Sequence, residues 1–190
     1  DAIGSLLWLE CTNKVVHRSN AVGLAILNKD INTYYAANSD RKLSRATPLV
    51  WSQLFGEKPG YPYLKAKAAE TRHLCDFALL LAQRHKHGDA NHAPFVFRAN
   101  NRMAPHQQTH LDAAVAMMVG HCRYHDSCSA LPFDEETCKA ALYMFLQNFK
   151  ILHDLWRTDL PEDLWQHLPF HMGPKAHVLQ HLVEDKIGMW

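Results

Sequence analysis

An all-α domain of about six helices, packed as an irregular bundle, is the fold class this 190-residue sequence predicts. Three observations predict it. From Asp134 onward, apolar residues fall at Cys138, Leu142, Phe145, Phe149, Leu152 and Trp156, spaced 4, 3, 4, 3, 4. That rhythm sets all six on one stripe of a helix. Further on, Pro174 to Asp185 opens on a proline suited to a first helical turn, where its preset φ fits and its missing N–H would have had no partner. Third, no apolar/polar alternation is long enough to build a sheet.

Taken in order, the first helix should cover Ala2 to Val16, with Ile3, Leu6, Leu7 and Leu9 at apolar positions. Ser19 or Asn20 can cap a second helix running to about Ala37, because their side-chain oxygens accept free N–H groups of the first turn. Asn38 to Pro48 reads as a polar connection, and Leu49 to Phe55 as a short helix closed by the breaker-rich stretch Gly56 to Pro62. Tyr63 to Lys86 is rich in Ala, Leu, Lys and Glu, with Leu64, Ala68, Leu74, Cys75, Ala78, Leu81 and Ala82 at helical spacing. His85 to Pro94 reads as a loop, and Phe95 to Phe97 as extended or as a lead into helix. Pro105 to His125 is helical again, with Leu111, Val115, Met118 and Val119 inward. Asp134 caps the striped helix, Pro161 to His167 makes one turn, and Pro174 to Asp185 closes the chain.

Size and composition suit one domain with a real core: 47% hydrophobic and 21% charged residues describe a globular chain, not a disordered one. No apolar run approaches the roughly 18 residues of a membrane span, and no signal peptide is expected. The chain opens at Asp1 and stops at Trp190 within apolar sequence, so it reads as a segment of a longer protein. Five cysteines, odd in number and without a CxxC pair, read as free thiols of an intracellular protein. Net charge is only +1 but unevenly spread: residues 41–102 hold eleven Lys/Arg against four Asp/Glu, and residues 103–190 six against eleven. Arg41, Lys42, Arg45, Lys65, Lys67, Arg72, Arg98 and Arg102, with Trp51, Tyr61, Tyr63, Phe95 and Phe97 among them, have the makeup of a phosphate-tracking surface. Solvated charge on helix faces is the plainer explanation of the same residues.

Fourteen histidines include four i,i+4 pairs: His106/His110, His121/His125, His167/His171 and His177/His181. Imidazoles one helical turn apart can share a metal. His121, His125 and Cys128 on one face, with Cys138 from the next helix, form the best-equipped set and would suit Zn²⁺. The competing reading is partly exposed histidines beside thiols packed as small hydrophobes. Val178 stands where a zinc-protease helix needs its glutamate, so that chemistry is excluded at His177/His181. Neither GxGxxG, GxxxxGK[ST] nor Gly-x-Ser-x-Gly occurs. Of the two acid pairs, Glu135/Glu136 fit the opening turn of a helix, whereas Glu184/Asp185 lie at a helix end, where carboxylates are unfavourable; general-acid work is expected of neither.

Tyr63 to Leu74, the opening Asp1 to Ser5, and the closing Pro174 to Asp185 together resemble a helical region of transposase-like mobile-element proteins of protist genomes, which have an RNase H-type core. The resemblance implies that the catalytic acids lie outside this chain. What remains is a module without chemistry of its own or a cofactor. It would support the nuclease core of the parent polypeptide, contact DNA through the basic residues and reside in the nucleus. The alternatives are a His-rich helical zinc domain and a plain protein-interaction module.

Overall fold

The computed structural model describes residues 2–12, 19–46, 48–55, 61–90, 92–96, 98–99, 102–159 and 169–172. Among them are seven α-helices: α1 (Ala2–Thr12), α2 (Asn20–Ala37), α3 (Trp51–Leu54), α4 (Ala68–His73), α5 (Cys75–His87), α6 (Gln107–Ser129) and α7 (Glu135–Asp159). The fold is all-α, as the sequence predicts. The one strand pairing described is a two-residue antiparallel hairpin, β1 (Arg98–Ala99) with β2 (Arg102–Met103). The turn expected at Pro161 to His167 and the closing helix at Pro174 to Asp185 lie outside the described residues.

The α6/α7 pair is the largest packed unit. Five of the six striped residues on α7 are buried, and Phe145, half-buried, packs against the core. Asp134 caps the helix by accepting from the Thr137 N–H (3.1 Å). The two helices run antiparallel. Cys128 meets Cys138 at one end, Gly120 meets Ala141 and Phe145 in the middle, and His110 meets Asp159 at the other end. Gly120 is what lets them close up: a Cβ there would stand 2.6 Å from the Phe145 backbone nitrogen.

The centre of the molecule is α1, buried on every side; even Ser5 and Glu10 are covered. A helix apolar all round belongs inside, and its two polar residues are satisfied there. Ser5 Oγ accepts from the Phe170 N–H (2.8 Å), while Glu10 accepts from His85 Nε2 (2.7 Å) and from the Arg84 guanidinium (3.1 Å). Arg84 also donates to Asp30 on α2 (2.8 Å), so one buried network ties α1, α2 and α5 together. Gly23 allows α2 to lie directly against the Cys11 carbonyl of α1.

Several boundaries differ from the sequence expectation: α3 spans only Trp51–Leu54, and α5 runs on to His87. The helix expected from Tyr63 to Lys86 begins only at Ala68 and breaks at Leu74. Residues 63–67 stay extended because their backbone is used elsewhere. The Tyr63 N–H donates to Leu54 O, the Lys65 N–H to Gln53 O, and the Lys67 N–H to the Glu70 carboxylate that caps α4. The helix expected from Pro105 to His125 starts at Gln107 and continues to Ser129. Ser19 caps α2 as expected, its oxygen accepting from the Val22 N–H.

Candidate metal centre and cationic edge

Cys75 opens α5, and His121 and His125 stand one turn apart near the middle of α6. The crossing of α5 over α6 brings the three side chains together, with one donor atom from each lying within 4.8 Å of the others. The Cys75 Sγ to His121 Nδ1 distance is 3.7 Å. Cys75 is buried, His121 and His125 half-buried. His121 stacks on Phe145 (centroids 4.8 Å apart), which holds the ring flat against α7, and its centroid is 4.8 Å from that of His125. Burial pushes the Cys75 thiol up to about 12, with Asp76 adding to the rise, and holds His121 down to about 3, with His125 contributing. His125 is lowered as well, by burial and then by Arg72. At neutral pH the set is therefore one protonated thiol and two neutral imidazoles.

Cys75 and His125 also line a polar cleft of about 330 Å³, shared with Arg41, Arg72, His73, Asp76, Cys122 and Asp126.

His121 and His125, two residues of the set expected from sequence, thus come together, but the thiol beside them is Cys75. Seven residues separate His121 from Cys128, which is about 10 Å along a helix axis, too far for both to reach one ion directly. Cys128 and Cys138 instead face each other across the α6/α7 turn with their sulfurs 3.9 Å apart, Cys128 exposed and Cys138 buried. Cys75 was not foreseen because it belongs to a different helix, 46 positions earlier, and its place in an apolar stripe reads as core. The remaining described pair, His106/His110, is engaged with Asp159. His106 Nδ1 and His110 Nε2 donate to its two carboxylate oxygens (2.9 and 2.7 Å), which are almost fully covered. His171 stacks on Tyr61 (4.4 Å); His167, His177 and His181 lie outside the described residues.

The basic residues split into two groups. Arg41, Lys42, Arg45, Lys65, Lys67 and Arg72 are all exposed. The loop carrying the first three is pinned onto the helices that carry or adjoin the rest. The Ser44 N–H donates to His73 Nδ1 (2.6 Å), the Ala46 N–H to Tyr35 Oη (3.1 Å), and Arg41 pairs with Asp76 (2.8 Å). Arg45 lies over the Tyr35 ring at 5.9 Å, and Arg72 donates to Ser129 Oγ at the end of α6. Arg98 and Arg102 sit on the β1/β2 hairpin, in register with Met103 and Ala99. Within the same basic segment, Arg84 and Lys86 are neutralised by Glu10, Asp30 and Asp112.

Compared with protein-family models, curated proteins and solved structures, the chain has no match. None of the described helices is long and apolar enough to cross a membrane.

Proposed function

We propose that this chain is a non-catalytic helical module that contacts DNA through the edge formed by Arg41, Lys42, Arg45, Lys65, Lys67 and Arg72. The observation that carries the reading is the pinning of the 41–46 loop against α2, α4 and α5, which holds several exposed cations in fixed relation to one another. Ordered cations on a rigid platform suit a polyanion, because little side-chain and loop freedom is left to lose on binding. Such contacts fix position on the phosphate backbone and carry no base readout, so binding should be sequence-tolerant. The paired acids support a structural role: Glu10, Asp30 and Asp159 all accept from Arg or His partners within the fold. The mobile-element reading fits this module as a support for a nuclease core carried elsewhere in a parent polypeptide, and a nuclear location follows from that reading.

The test is fluorescence anisotropy with short duplex DNA over a series of salt concentrations. Binding should weaken steeply with salt, and each phosphate contact removed should flatten the log–log slope by about 0.9. Replacing Arg41, Lys42, Arg45, Lys65 and Lys67 by glutamine should abolish binding while leaving the helical circular dichroism unchanged. Binding that survives this replacement, or that does not respond to salt, refutes the proposal.

A further inference from the structure

The geometry points to a Zn²⁺ site at Cys75, His121 and His125, which clamps the start of α5 to the middle of α6. The argument begins with distances. Zinc takes a thiolate at about 2.3 Å and imidazole nitrogens at about 2.0–2.1 Å, so a sulfur and a nitrogen on one tetrahedral ion stand about 3.6 Å apart. Cys75 Sγ and His121 Nδ1 are already 3.7 Å apart, and His125 brings its donor within 4.8 Å of both. A small contraction by His125, the more exposed of the two imidazoles, completes three ligand positions without moving a helix.

The donor chemistry agrees with the spacing. One sulfur and two imidazole nitrogens suit zinc and disfavour the oxygen-seeking ions Mg²⁺ and Ca²⁺. On binding, Cys75 gives its thiol proton to solvent and coordinates as the thiolate, while the ion sheds water from its hydration shell. Cys75 and His125 line the polar cleft, which leaves room for a water as fourth ligand; its acids Asp76 and Asp126 are balanced by Arg41 and Arg72. The ligands come from two helices 46 residues apart in sequence, so occupancy would stabilise the crossing that also positions Arg72 and, through Asp76, Arg41. This site goes beyond the DNA-contact reading and does not depend on it.

The test uses protein purified without a His-tag, stripped of metal and examined in the absence of DNA. Because fourteen histidines can hold zinc adventitiously, the probe is Co²⁺, whose thiolate charge-transfer band reports sulfur ligation. About one equivalent should bind with that band, and Zn²⁺ should displace it. Cys75→Ala should abolish the band, and His125→Gln, at a half-exposed position that tolerates the change, should weaken binding at least about tenfold. Cys128→Ser and Cys138→Ser should bind as the parent chain does. Circular dichroism and the metal-free urea midpoint show that each variant folds. A band that persists in Cys75→Ala, a band that disappears in Cys128→Ser or Cys138→Ser, or uptake below roughly a tenth of an equivalent overturns the site.

Discussion

The α6/α7 pair and the stretch from Asn38 to Ala104 are held together by different forces. The long helices bury Met117, Met118, Leu142, Phe149 and Leu152, and the paired polar side chains between them include His106 and His110 on Asp159 at one end. Apart from α5, the described part of the Asn38–Ala104 stretch carries only a 3-10 turn at Ser39–Arg41, the short helices α3 and α4, and the β1/β2 pair. It is pinned by polar side chains on backbone groups: Asn28 grips both the Leu49 N–H (2.7 Å) and the Leu49 carbonyl (2.9 Å), His73 takes Ser44, and Tyr35 takes Ala46. Burial of a continuous stripe is non-directional and distributed over many atoms, whereas each pin depends on one geometry. The first region should therefore lose stability through lost volume, the second through lost single bonds.

The largest effect expected is from Leu152→Ala, at a side chain with no exposed surface. It should cost about 2–5 kcal/mol in urea unfolding, the range for a leucine cavity in a seam that cannot collapse. A cost below about 1 kcal/mol would mean the seam is not the dominant apolar contact. Asn28→Ala removes two bonds to one residue and should cost about 1–2 kcal/mol, with faster hydrogen exchange confined to residues near Leu49. Equal loss of protection along α7 would erase the distinction between the regions.

The smallest effect is acid sensitivity, and it should track the long helices. Burial holds His110 below the ordinary histidine range, outweighing the hydrogen bond to Asp159, and it lowers His153 on α7 as well. A lowered folded-state value means the unfolded chain takes up protons first, so stability is full above about pH 6.5 and falls as pH drops toward the folded values. Asp159 acts in a lower window. Burial alone would raise it, but the hydrogen bonds from His106 and His110 outweigh that and leave it lowered, so its contribution is lost only below about pH 4. The urea midpoint should therefore be lower at pH 5 than at pH 7, and His110→Gln should shrink the difference. An unchanged midpoint across that interval contradicts the sign.

What was legible in the sequence divides along the same line. The α7 stripe could be read because one periodic pattern specifies one face, and the Asp134 and Ser19 caps because their donors lie three residues on. The total burial of α1 was not legible. Glu10 and Ser5 look like solvent positions until Arg84, His85 and Phe170, distant in sequence, arrive to satisfy them. The late start at Ala68 follows from backbone bonds made by residues 63–67, and the break at Leu74 has no glycine or proline to announce it. Two residues of the Cys75/His121/His125 cluster were readable from an i,i+4 spacing; Cys75, outside the expected set, joins them through how two helices cross, which no local pattern encodes.

The bond between the Phe170 N–H and Ser5 Oγ spans 165 positions. Phe170 itself is fully enclosed against the innermost helix, its ring edge-on to Phe149. A core whose first helix is sealed by so late a residue cannot be finished until the chain through Phe170 has been made. Until that residue emerges, α1 has an uncovered flank, and the loop to be closed is long. Nascent molecules should consequently rely on chaperone protection until Phe170 has emerged.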